Sequence, residues 1–232
     1  VESIDISYDS KKIISADGDG HLILWDLITG RQISKLKFPK GGPRKVLFTS
    51  SGQEIISVKI YEKKAILYDL TGGFISQFDV DVQINDFVID QMRNQIIFGC
   101  YDEIQVWSIA SRGIVQRVPF SGIHVMKFNN DFSELAIGQS SGNISFLNMN
   151  LEVGAELSGH FKPVVSLSYS FDNKLLCSGS SDQTIRIWNL RRSKKIIQLD
   201  NQHKGTVEAV QFISKKNQFA TGGKSNELKI WR

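Results

Sequence analysis

The chain has 232 residues, 41% of them hydrophobic, and carries 28 Lys or Arg against 24 Asp or Glu for a formal net charge of +4. That length can bury a sizeable core, and no apolar run of about 18 residues or charged-then-apolar start is present, so membrane insertion and export lack support. Two cysteines make no disulfide framework, and four histidines lie scattered without the close Cys/His spacing of tetrahedral zinc. No metal and no cofactor are expected, the two thiols are expected to be buried and free, and the compartment is expected to be intracellular and reducing.

Taken in chain order, six strand-like endings punctuate the sequence: LILWDL at 22–27, AILYDL at 65–70, IQVWSI at 104–109, ISFLNM at 144–149, IRIWNL at 185–190 and LKIWR at the end. Each alternates residues between two faces and is rich in β-branched and aromatic types, which reads as strand. Trp25, Tyr68, Trp107, Leu147, Trp188 and Trp231 mark the period, with gaps of 43, 39, 40, 41 and 43 residues. A repeat near 40 to 45 residues with four strands per unit predicts an all-β propeller of four-stranded antiparallel blades.

The blades are expected at 1–39, 43–81, 82–121, 122–160, 161–202 and 203–232. No Pro-rich or Ser/Gly-rich stretch breaks the period, so a single domain is expected. VESIDISYD at the start aligns with VVSLSYSFD at 164–172, which places the start on the first strand of a blade. Five blades are then complete and the sixth lacks its outer strand, as part of a six- or seven-bladed ring.

Residues 157–190, LSGHFKPVVSLSYSFDNKLLCSGSSDQTIRIWNL, open on Gly159 and His160 and close on Trp188 and Asn189, and this stretch resembles a WD repeat from end to end. The resemblance implies a buried hydrogen-bond network joining a His in the entering loop, a hydroxyl on the second strand, an Asp in the following turn and the Trp of the third strand. Its members here are expected to be His160, Ser180, Asp182 and Trp188. An imidazole bridges a carboxylate and a hydroxyl, while the indole N–H, a donor only, needs an acceptor. The implied role is structural.

The other units match less well. The first keeps Asp19 and Trp25, with Asp17 where the hydroxyl is expected; the last keeps His203 and Trp231, with Gln202, Gly223 and Ser225 in place of the glycine, the hydroxyl and the acid. The units ending at Tyr68, Trp107 and Leu147 have no His at the matching position and are expected to be held by packing alone.

No nucleophile–base motif or pair of carboxylates is recognisable, so an enzyme is not expected. Asp17 and Asp19 read as a hairpin turn, because a calcium loop needs further ligands downstream. TGG at 71–73 precedes no helix and is a turn, not a phosphate loop.

Charge is unevenly spread: residues 186–232 carry 11 Lys or Arg against 3 Asp or Glu. Lys174 is expected in the turn between the first and second strands of blade five, Arg191, Arg192, Lys194 and Lys195 in the turn before its outer strand, and Lys215 and Lys216 in the first turn of blade six. Such a rim suits an acidic protein surface or peptide, a nucleic-acid backbone, or nothing beyond solvated turns. The other rim mixes Lys40, Arg44, Lys63, Lys64 and Lys162 with Glu62 and Asp102. The expected function is a non-catalytic protein–protein interaction scaffold in a larger intracellular assembly. The alternatives are a ribonucleoprotein or chromatin-associated subunit that contacts nucleic acid through the basic rim, and a propeller enzyme.

Overall fold

A computed structural model describes residues 1–37, 43, 45–59, 62–192, 194–200, 202–213, 218–224 and 226–232. Lys40, Arg44, Lys215, Lys216 and Ser225 lie outside the described residues. The chain divides into two compact units, Val1–Pro119 and Phe120–Arg232.

The first unit holds three antiparallel sheets, each taking its strands in chain order. They are β1 Ser3–Ile6, β2 Lys12–Ala16, β3 His21–Asp26 and β4 Gln32–Lys37; β5 Lys45–Phe48, β6 Glu54–Val58, β7 Lys64–Asp69 and β8 Phe74–Asp79; and β9 Ile84–Asp90, β10 Gln95–Cys100, β11 Glu103–Ser108 and β12 Ile114–Pro119. The second unit holds β13 Ile123–Phe128, β14 Glu134–Gln139, β15 Ile144–Asn148 and β16 Val153–Leu157, then β17 Val164–Tyr169, β18 Leu175–Ser180, β19 Ile185–Asn189 and β20 Lys194–Leu199, and finally the three-stranded sheet β21 Ala209–Phe212, β22 Phe219–Gly222 and β23 Leu228–Trp231. The helical content of the described residues is one 3-10 turn at Leu190–Arg192. The protein is therefore all-β, with six propeller blades, and among the described residues five have four strands and one has three.

Burial departs from the simple alternation read off the sequence. In the third, fourth and fifth blades the second and third strands are covered on both faces: β10 (QIIFGC) and β18 (LLCSGS) are buried at every position but the first, and β19 at every position but the last. The outer strands β12 and β20 are exposed over their first four residues. A blade sandwiched between neighbours has two apolar faces, so its middle strands read as continuous hydrophobic runs and only its rim stays wet.

Within the first unit, Ile14, Leu22 and Leu24 of the first blade join Val46, Phe48 and Ile55 of the second. Ile56, Leu67 and Phe78 of the second then join Phe87, Phe98 and Trp107 of the third. In the second unit, Phe146 and Leu157 join Leu167, Tyr169 and Trp188, and Ile185 and Ile187 join Val210, Phe212 and Phe219. Each fully buried side chain of this size contributes about 1.5 to 3 kcal/mol.

A polar device repeats alongside this packing. Ser3 Oγ and Asp5 Oδ2 on β1 accept from the Val46 and Phe48 amides of β5, at 3.2 and 2.8 Å. Ser166 and Ser168 on β17 do the same for Val210 and Phe212 of β21, at 3.0 and 2.9 Å. The amides of an inner strand would otherwise be buried unpaired, so these short side chains satisfy them while fixing the neighbour's register.

Candidate functional site

The fifth blade builds a closed polar chain in its interior. His160 enters from the loop before β17, Ser178 faces it from β18, Asp182 and Thr184 come from the turn between β18 and β19, and Trp188 lies on β19. His160 Nδ1 is 2.8 Å from Asp182 Oδ2 and its Nε2 is 2.8 Å from Ser178 Oγ. The indole of Trp188 donates to the same Ser178 oxygen at 2.8 Å. A carboxylate accepts only, so the imidazole proton sits on Nδ1 and Nε2 accepts from the Ser178 hydroxyl. The bonds then run in one direction, from Trp188 through Ser178 and His160 to Asp182.

Asp182 is the sink of this chain. Its carboxylate also accepts from the amides of Phe161 at 3.3 Å and Thr184 at 2.9 Å, and from the Thr184 hydroxyl at 2.7 Å. Burial opposes its ionisation, but the bonds from His160 and Thr184 outweigh that and hold the carboxyl well below the usual range. Burial depresses the pKa of His160, with the Asp182 carboxylate opposing, so the neutral imidazole is favoured. Gly159 completes the arrangement by its lack of a side chain: a Cβ there would run into Arg186 Nη1 and stand 3.1 Å from Trp188 Cη2. The Arg186 guanidinium lies over the Trp188 ring, 5.9 Å from its centroid.

The structure thus brings His160, Asp182 and Trp188 together and corrects the fourth member. The hydroxyl is Ser178, and Ser180 belongs to the loop: its Oγ donates to the carbonyls of Pro163 and Lys162, at 2.9 and 3.1 Å, and accepts from the Asp182 amide at 3.0 Å. Residues 176, 178 and 180 share one face of β18, so alternation alone does not separate the two serines. Register does, because Leu176 pairs with Trp188 and Ser178 with Arg186, which leaves Ser178 one diagonal step from the indole and Ser180 past the last pair.

The same two-residue correction applies to the blades at either end. Trp25 donates to Ser15 at 2.9 Å, not to a group at Asp17. Asp17 instead closes its turn by accepting from the Asp19 and His21 amides and pairing with the His21 ring. Trp231 donates to Thr221 at 2.9 Å, and Thr221 lies 2.8 Å from His203 Nε2, so the hydroxyl position is Thr221 and not Gly223. His203 Nδ1 is buried and has no hydrogen-bond partner among the described residues. In all three blades the hydroxyl precedes the tryptophan by ten residues.

The third blade is not held by packing alone. Ile96 pairs with Trp107, so the acceptor's place two residues further along β10 is taken by Phe98, and the indole donates instead to Gln105 Oε1 at 2.9 Å. The amide of Gln105 donates to Asp81 and Glu103 at 2.8 and 2.6 Å, and Arg117 binds both carboxylates, Asp81 at 3.0 Å and Glu103 at 2.8 Å. A buried donor must find an acceptor, and here the side chain two residues earlier on the same strand supplies it. In the fourth blade Leu147 makes no such demand.

The basic cluster is partly rearranged relative to expectation. Arg191 and Arg192 lie in the 3-10 turn, but Lys194 and Lys195 already belong to β20, paired with Asn189 and Trp188. Lys174 is held by Asp172 at 2.8 Å and is no free cation. The Leu190 amide donates to the Lys174 carbonyl at 3.0 Å, so the two turns do meet at one end of the blade. Asn189, Arg192, Lys194, Lys195 and Ile196 line a cavity of about 300 Å³ there. Cys100 and Cys177 are buried free thiols, Cys100 pushed up to about 12 and Cys177 also raised, in both cases chiefly by burial. Among the described residues no group of three or more His, Cys, Asp or Glu side chains is arranged to hold a metal, and no helix is long and apolar enough to cross a membrane.

These blades define a β-propeller, and comparison with known sequences shows three of them to be similar to WD repeats. The family profile described as "WD domain, G-beta repeat" matches residues 1–26, 152–189 and 194–232. Each matched stretch takes in one of the tryptophans with a hydroxyl ten residues before it. Over 235 residues, and the whole of this chain, the sequence is 26% identical to a guanine nucleotide-binding protein subunit beta of Solanum tuberosum, covering 55% of that relative. A subunit of the same name from Arabidopsis thaliana is 24% identical over the same span, with 55% of its length covered. WD repeat-containing protein 36 of Homo sapiens is 23% identical over 224 residues, or 94% of this chain and 21% of that protein. The chain spans about half the length of these beta subunits.

Proposed function

We propose that this chain is a non-catalytic protein-interaction scaffold, a WD-repeat subunit of a larger assembly. The observation that carries the reading is that the buried titratable groups of the fifth blade's network are spent on one another. Asp182, His160, Ser178 and Trp188 form a closed chain of bonds, and Asp182 has four donors. Such groups hold a blade rigid and leave the rims as the surface for recognition. The perturbed carboxyl of Glu134, raised by burial, accepts from Tyr169, whose hydroxyl burial pushes up further. A carboxyl facing a phenol that stays protonated offers no base–nucleophile pair. The relatives named as beta subunits support the same class by analogy.

Purification of the full-length protein from its native cells, with and without nuclease, tests this reading. A partner protein recovered in stoichiometric amount and retained after nuclease treatment is the expected result. Release of every partner by nuclease would replace it with the nucleic-acid reading.

A further inference from the structure

The outer strands of the four-stranded blades differ in charge. β4 reads QISKLK, with its two Lys apart, β8 FISQFD, β12 IVQRVP and β16 VGAEL. Arg117 of β12 is taken up by Asp81 and Glu103. β20 reads KKIIQL, follows Arg191 and Arg192, and is followed by no acidic residue before Asp200. Among the described residues none of these four cations takes part in an ion pair, while the neighbouring Lys174 does.

Four cations within five residues repel one another, and without counter-ions they raise the local potential that an anionic ligand would relieve. The strand is also open. β20 ends its sheet, its first four residues are exposed, and Ile196 is 52% and Ile197 45% accessible. The cavity beside it combines Arg192, Lys194 and Lys195 with the apolar wall of Ile196. An edge that is cationic at one end and aliphatic at the other matches an extended chain with carboxylates followed by aliphatic side chains, because an added strand shares the backbone bonds and sets side chains opposite their partners.

We propose that the outer edge of β20 binds an extended acidic segment of a partner protein, with its carboxylates on Arg192, Lys194 and Lys195 and its aliphatic side chains against Ile196 and Ile197. This rests on the scaffold reading and names the kind of partner. A phosphate backbone is the competing anion, and it fits less well. Ile196 and Ile197 are exposed beside the cations, and a phosphate backbone has nothing to set against them, whereas a peptide can follow its carboxylates with aliphatic side chains.

The test uses the full-length protein with a short capped peptide carrying two Glu followed by two Val, a Lys-substituted control, and single-stranded RNA of equal length. The acidic peptide should bind, lose roughly tenfold in affinity between about 50 and about 300 mM salt, and slow amide exchange along 194–199. Lys194→Glu with Lys195→Glu should lower its affinity by at least about tenfold while leaving the melting temperature unchanged. RNA binding tighter than the acidic peptide, equal binding of the Lys control, or association without amide protection would each overturn the proposal. A partner retained in native complexes of the double variant would sink the β20 assignment and leave the scaffold reading standing.

Discussion

In the fifth blade Trp188 donates to Ser178, ten residues before it, and the chain of bonds continues through His160 to a saturated Asp182. In the third blade the register gives that place to Phe98, and Trp107 turns to Gln105, which passes the demand outward to Asp81, Glu103 and Arg117. One network runs inward to a buried carboxylate, the other outward to half-exposed charges. The family profile matches the first blade type and passes over the third, although both bury an indole between sheets. The shared requirement is an acceptor for a buried donor, and the residues that meet it are interchangeable in a way a signature does not record.

The sharpest way to break this contrast is to remove the imidazole. His160→Ala leaves a fully buried carboxylate, since neither partner's side chain is accessible, and should cost about 3 to 5 kcal/mol in denaturant unfolding. Gln105→Ala should cost less, about 1 to 3 kcal/mol, because the carboxylates it abandons keep Arg117 and reach water. A third-blade loss equal to that of His160→Ala would remove the distinction between an inward and an outward network.

Acid should act on the fifth and sixth blades before the third. Both His160 and His203 have pKa values depressed chiefly by burial, opposed by Asp182 in the first case; for His203 the depression is reinforced by Lys229 and opposed by Glu227. A depressed folded pKa means the unfolded chain binds the proton more readily. Their contribution is therefore complete above the unfolded value of about 6.5 and is lost as pH falls below it towards the folded values. Melting temperature measured from about pH 7 down to about pH 5 should fall, and His160→Ala should flatten part of that slope. A slope unchanged in the variant would contradict the burial of a neutral imidazole. The smallest effect is expected on the rim, where Arg191→Glu should change stability by less than about 0.5 kcal/mol.

The blades were legible because a third-strand aromatic recurs at a near-constant interval, and three members of the fifth-blade network were legible because His160, Asp182 and Trp188 differ in kind from their neighbours. Ser178 was not, because it shares strand parity with Ser180 and both are serines. Its signal was present in the constant ten-residue interval of Ser15 to Trp25, Ser178 to Trp188 and Thr221 to Trp231, which follows from the antiparallel register across one hairpin. Gln105 had no comparable signal, since its role appears only once the register shows Phe98 in the acceptor's place. Which cations are free was equally hidden: Lys174 and Arg117 read like Lys194 until their carboxylates are located.

A double-mutant cycle tests the central claim that the acceptor ten residues before the tryptophan completes the network. Trp188→Phe is combined with Ser178→Ala in one cycle and with Ser180→Ala in the other, and unfolding free energies are compared. The account predicts a coupling of about 1 kcal/mol or more between Trp188 and Ser178 and one within about 0.5 kcal/mol of zero between Trp188 and Ser180. Equal couplings, or a larger one for Ser180, would contradict it.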